Sequence, residues 1–170
     1  MTIFAGATAA ATDLENTLYM DLDGGRVVIE LQPDLAPVHV ERIKVLTRAG
    51  FYDGVVFHRV IEDFMAQTGD PTGTGRGGSD MADLPAEFTD TPFERGTLGM
   101  ARTADPNSAN SQFFICFNDY PHFCGGLRGN YTVFGRVVSG MEYVDQIKRG
   151  EPPAEPDRIV RLSVAADVTQ

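Results

Sequence analysis

The sequence predicts a mainly β fold, a barrel or a sandwich with two helices as end caps. Three observations carry the prediction. Apolar residues alternate with polar ones in short runs, the period of a half-buried strand. Gly, Pro, Asp and Asn punctuate those runs at short intervals from Phe51 to Gly140. Only two stretches space apolar residues as a helix does.

The first strand is Leu18 to Leu22, where Leu18, Met20 and Leu22 alternate with Tyr19 and Asp21. Asp23-Gly24-Gly25 is a turn signal, and Val27, Ile29 and Leu31 alternate beyond it, so the two runs form a β-hairpin. A helix follows, with Pro37 in its first turn and Gly50 just past its end. Val40, Ile43, Leu46 and Thr47 share one face, leaving Glu41, Arg42 and Lys44 for water. Further strands are expected over Val55 to Ile61, Phe64 to Thr68, Thr97 to Ala101, Gln112 to Phe117 and Thr132 to Val138. Met141, Val144 and Ile147 mark a second helix from Met141 to Lys148, stopped by Gly150. A Pro-rich loop, Glu151 to Pro156, leads to a last strand from Ile159 to Val164. The count is about eight strands and two helices, without an internal repeat.

The 170 residues fit one domain, read as residues 17–170 after a flexible extension over 1–16. No apolar run approaches the roughly 20 residues that span a bilayer, so a membrane role is not expected. With 14 basic against 24 acidic residues the net charge is −10, which would repel a phosphate backbone and argues against nucleic acid as a partner. The N-terminal MTIFAGATAAATD has no Lys or Arg ahead of its small, mildly apolar stretch; it reads as an extension rather than a signal peptide, and a cytoplasmic location is expected. The two cysteines, Cys116 and Cys124, form no CxxC pair, and Cys116 in the apolar run SQFFICF reads as a buried free thiol.

Several apparent chemical signals are weak. Gly73, Gly75 and Gly78 match GxGxxG, but the following SDMADLPAEF has no helical period, so a mobile or tight surface loop is expected instead of a dinucleotide site. His39, His58 and His122 have no partner at metal-ligand spacing, and no nucleophile elbow supports a hydrolase. Asn130-Tyr131-Thr132 matches a glycosylation acceptor by chance.

Two positions are more informative. In the run ending at Phe117, Phe113, Ile115 and Phe117 face one way and form the natural interior, while Gln112, Phe114 and Cys116 face the other. An aromatic beside an amide on an outer face is either a floor for a peptide or a surface covered by another segment. Arg59 shares a face with Phe57 in an apolar run, and is either an anchored functional cation or a solvent-facing side chain.

The segments FHR-x-I-x-x-FMAQ-x-GD (Phe57 to Asp70), GMAR (Gly99 to Arg102) and NSQFFI (Asn110 to Ile115), in this order and spacing, resemble the cyclophilin family of peptidyl-prolyl cis/trans isomerases, and the resemblance runs from Thr17 to Val164. It implies a closed eight-stranded antiparallel β-barrel capped by two α-helices, a reaction without cofactor or metal, and proline-containing peptides and folding proteins as partners. A monomer is the default expectation for a small enzyme with no evident interface stripe. It implies Arg59, Phe64, Gln67 and Gln112 as catalytic residues, and Met65, Ala101, Arg102, Thr103, Phe114, Leu127 and Tyr131 as substrate-binding residues. A non-catalytic peptide-binding module on the same fold is the alternative. The chain departs from the family in having Arg102 where an Asn is common, a longer stretch from Tyr120 to Gly129, and Tyr131 where many members have His. A Trp that contacts the drug cyclosporin in many members is absent, since the chain contains no Trp; either Phe123 or Gly126 falls in that region, and weakened cyclosporin binding is expected.

Overall fold

The computed structural model describes residues 12–168; part of the expected N-terminal extension, residues 1–11, lies outside the described residues. All eight expected strands and both helices are present: β1 (Thr17–Leu22), β2 (Gly25–Leu31), α1 (Pro37–Arg48), β3 (Arg59–Ile61), β4 (Met65–Thr68), β5 (Thr97–Met100), β6 (Phe113–Cys116), β7 (Val133–Ser139), α2 (Met141–Asp145) and β8 (Arg161–Val164). They form one antiparallel sheet in the order β3-β4-β6-β5-β7-β2-β1-β8.

The ladder does not close, which corrects the expectation of a closed barrel. β3 and β8 are its two edges. Irregular chain spans the gap between them: Phe57 N–H donates to Asp157 O at 2.9 Å, Gly54 N–H to Ile159 O at 2.7 Å, and Ile159 N–H to Val55 O at 2.9 Å. The strand expected from Val55 thus begins only at Arg59, because residues 54–57 bond to the approach to β8 and not to a ladder. The alternation breaks there too. Phe57 enters the core, whereas Arg59 lies half-exposed on the opposite side, so the two do not share a face.

The main core lies inside the curled sheet and includes Leu18, Met20, Ile29, Ile43, Phe57, Leu98, Phe113, Ile115, Phe134 and Leu162. α1 packs against β8 and α2 against β2. α2 ends at Asp145, three residues earlier than expected, although Val144 and Ile147 both reach the core. Arg42 and Lys44 are also buried, not water-facing as expected. Arg42 donates to Ala82 O at 2.6 Å and Asn110 O at 3.2 Å, and Lys44 reaches Glu15 at 3.2 Å from the short 3-10 turn Leu14–Asn16. No residue near α1 in sequence caps its N-terminus. Glu87 does so from a remote loop, accepting from Val38 N–H at 3.2 Å and His39 N–H at 2.8 Å.

A second, smaller core lies on the other face of the sheet and contains Met65, Phe93, Phe114, Cys116, Cys124 and Val133. Cys116 and Cys124 form a disulfide across a sequence separation of eight, so Cys116 is not a free thiol. The bond ties the end of β6 to the 3-10 turn Cys124–Leu127.

Candidate active site

Strand register assembles the site. Arg59 on β3 pairs with Gln67 on β4, Gln67 with Phe114 on β6, and Phe114 with Gly99 on β5. Directly paired residues project on the same side, so these four positions form a row across the outer face. Gly99 leaves room in that row: a Cβ there would come within 2.5 Å of Phe114 Cζ and 2.8 Å of Phe93 Cε1. The Phe114 ring is then pinned between Phe93, stacked at 6.0 Å, and Tyr131, edge-on at 6.0 Å. It is covered at its sides and also lines a groove.

The β3–β4 turn brings Phe64 to the same groove. Asp63 takes φ 64° within it, a left-handed conformation that Asp tolerates better than most residues. Phe123 packs on Phe64 at 5.7 Å between ring centroids. Leu127 and Tyr131 come from the segment that the disulfide anchors. The result is a groove of about 480 Å³. Of the expected site residues, Arg59, Phe64, Met65, Gln67, Ala101, Arg102, Phe114, Leu127 and Tyr131 line it. Gln112 and Thr103 do not; they line an adjoining groove of about 510 Å³, with Gln67, Gly75, Ala101 and Arg102 as the shared wall.

The polar groups are chained by hydrogen bonds. Gln112 Nε2 donates to the carbonyls of Gly75 at 3.0 Å and Gly77 at 2.9 Å. Gln67 Nε2 donates to Gln112 Oε1 at 2.9 Å. Arg59 Nη1 donates to Gln67 Oε1 at 3.4 Å and Arg59 Nε to Glu151 Oε1 at 2.9 Å. Two of its five N–H groups are thereby engaged, and the others have no partner among the described residues. Arg102 lies over Tyr131 at 4.4 Å from the ring centroid and donates from Nη2 to Asn130 O at 2.6 Å, closing the groove on that side.

The Gly-rich segment is a tight loop wrapped around a buried carboxylate. Asp70 accepts from Thr72 N–H at 2.8 Å, Gly75 N–H at 2.7 Å and Gly77 N–H at 3.1 Å. Burial pushes the Asp70 carboxyl up, but the Thr72 hydroxyl and these three N–H groups outweigh it and hold the group at about 2. Gly73, Thr74 and Gly75 reach the main groove, as do His58, Glu151 and Pro152. Sequence reasoning missed these six. The Gly-rich and Pro-rich loops are visible as punctuation, but nothing local says what they lie against. Among the described residues no group of three or more His, Cys, Asp or Glu is arranged to hold a metal ion.

Comparison with known proteins gives a consistent result. Residues 17–164 match the family model for cyclophilin type peptidyl-prolyl cis-trans isomerases. A probable peptidyl-prolyl cis-trans isomerase of Brucella suis is 51% identical over 183 residues, covering 98% of this chain and 91% of that one. The isomerase ppi1 of Schizosaccharomyces pombe is 40% identical over 148 residues, covering 81% of this chain and 91% of that one. Among solved structures, the cyclophilin AquaCyp293 of Hirschia baltica superposes with a TM-score of 0.84 at 28% identity, covering 94% of this chain and 77% of that one. A cyclophilin type isomerase of Cryptosporidium parvum, crystallised in the presence of the dipeptide Ala-Pro, gives 0.78 at 26% identity, covering 87% of this chain and 98% of that one.

Proposed function

The chain belongs to the cyclophilin family and is a peptidyl-prolyl cis-trans isomerase; from that premise we propose that the reaction runs in the groove beside Arg59, on Xaa-Pro bonds of peptides and folding proteins. The proposal takes the working unit as a cytoplasmic monomer that assists protein folding. The observation that carries it is a guanidinium with N–H groups that have no partner among the described residues, beside the apolar side chains of Phe64, Met65, Phe114 and Leu127. A relative that was crystallised in the presence of Ala-Pro supports a proline-containing ligand.

Rotation about an amide costs about 18–20 kcal/mol because it breaks resonance across C–N. Xaa-Pro bonds populate both isomers, so their interconversion is the step worth accelerating. In the twisted state the prolyl nitrogen becomes pyramidal and gains a lone pair. A fixed N–H donor aimed at that nitrogen stabilises the twisted state over either planar one. Arg59 fits this role because it stays charged and offers several donors. Gln67 orients it, and Gln112 holds Gln67 in turn. Phe64, Met65, Phe114 and Leu127 seat the proline ring, so that the chain on one side turns about a pinned proline. Ala101 and Arg102 flank the peptide where the two grooves meet, with Tyr131 on the side of the first groove and Thr103 on that of the second. Lowering the barrier by about 7 kcal/mol corresponds to roughly 10⁵-fold.

The test is the cis/trans exchange rate of an Ala-Pro peptide measured by NMR. Wild type is expected to exchange it rapidly, and Arg59→Ala to lose about two orders of magnitude or more, roughly 3 kcal/mol of transition-state stabilisation. Uncatalysed exchange in both proteins, with the peptide still bound, would support the non-catalytic binding module instead.

A further inference from the structure

We infer that Glu151 is a positioning residue for Arg59: its carboxylate holds the guanidinium in the orientation that turnover requires, so the Pro-rich loop contributes to the rate. The inference rests on Arg59 being the catalytic cation.

Backbone pairing makes the contact. Val60 N–H donates to Gly150 O and Gly150 N–H to Val60 O, both at 2.8 Å, an isolated antiparallel bridge at the free edge of β3. In such a bridge the residue before one partner lies opposite the residue after the other. Arg59 and Glu151 are therefore a cross-strand pair, and both line the groove. The bridge depends on glycine. Gly150 has φ 148°, and a Cβ there would come within 2.5 Å of Pro153 Cα.

The loop is tied down on both sides of Glu151. Arg149 pairs with Glu62 at 2.9 Å and stacks over Phe117 at 4.2 Å. Lys148 N–H donates to Asp157 Oδ2 at 2.8 Å, and Pro153 is buried. Proline at 152 and 153 further limits the backbone around Glu151. The carboxylate thus projects from a fixed base.

Of the two groups that hold Arg59, Glu151 makes the shorter contact and the one between opposite charges, at 2.9 Å against 3.4 Å for Gln67. It engages Nε, near the root of the guanidinium, and so limits rotation of the plane while leaving Nη2 for the peptide. Both side chains are partly open to water, 43% and 57% exposed, so the pair adds little to folding stability. Its effect belongs in the rate, where a small misplacement of a catalytic group is felt strongly.

The experiment compares wild type with Glu151→Ala, Glu151→Gln, Arg59→Ala and the double variant Arg59→Ala/Glu151→Ala. Ala-Pro exchange at saturating peptide, peptide affinity and thermal midpoint are measured for each. Glu151→Ala is expected to lower saturated turnover about fivefold, with affinity changed less than twofold and the midpoint unmoved. The Arg59 Nε–H cross-peak should lose its protection from water exchange. Glu151→Gln, still an acceptor, should recover part of the rate. In the Arg59→Ala background, removing Glu151 should have no further effect. Turnover in Glu151→Ala at or above wild type, with Arg59→Ala still collapsed, overturns the inference and leaves the catalytic assignment intact. An equal further loss in the double variant also overturns it, because Glu151 would then act independently of Arg59. Unchanged turnover in Arg59→Ala removes the premise itself.

Discussion

His39 and His58 are buried, and each sits close to a carboxylate. Burial lowers the basicity of both imidazoles; Glu87 opposes this at His39 and Asp70 at His58, without reversing it. A histidine that is harder to protonate when folded binds fewer protons in the native state than in the unfolded chain. Its contribution to stability is then complete above the ordinary histidine range, near 6.5, and falls as the pH drops below that range. The thermal midpoint is therefore expected to be flat above about pH 7 and to decline progressively toward pH 5, measured by circular dichroism melts. Isomerase turnover should stay nearly level over the neutral range, since no proton moves in the proposed step. A midpoint that rises on acidification from pH 7 to 6 would contradict this sign. Both histidines stand out in the sequence, but their burial does not. His39 faces Glu87 across a separation of 48 residues.

At the scale of elements, the segment between β6 and β7 is a short, cross-linked unit. The disulfide fixes the turn that leads to Leu127, and Arg102 holds the chain at Asn130, next to Tyr131. Closing a loop of this size stabilises the fold by about 2–3 kcal/mol in the chain-entropy account. Cys124→Ser is expected to lower the thermal midpoint and to weaken Ala-Pro peptide affinity several-fold, because Leu127 and Tyr131 lose a fixed base. Melting curves and an NMR titration check both effects, and unchanged affinity would separate the disulfide from the site. The same segment enters the expectation for cyclosporin. No Trp is present, and the ring of Phe123 lies against Phe64. Weak cyclosporin binding is the expected result by calorimetry, and a nanomolar dissociation constant would contradict it. Strand and helix identities are readable in the sequence because their signals are short-range, a period of two or 3.6 residues ended by Gly or Pro. The cysteine pairing is not, since a separation of eight says nothing about whether two side chains meet.

For the molecule as a whole, the sheet begins and ends with strands that never pair with each other. β1 lies beside β8, which joins the two ends of the described fold, while the free edge of β3 is covered by the loop after α2. No helix among the described residues is long and apolar enough to cross a membrane. The sequence by itself determined the order and kind of every main element and the motifs around Arg59, Gln67, Ala101, Gln112 and Phe114. Those features depend on neighbours along the chain and on spacings that strand alternation converts directly into faces. The tertiary structure alone decided that the ladder stays open, that Phe57 turns away from Arg59, that Arg42 is buried against two carbonyls, and that Gln112 lies in the second groove while Glu151 lies in the first. Each of these depends on what a distant segment does. Arg59 meets Glu151 across 92 residues and Arg42 meets Asn110 across 68. Such meetings are settled by the packing of segments far apart in the chain, and local periodicity carries no record of it.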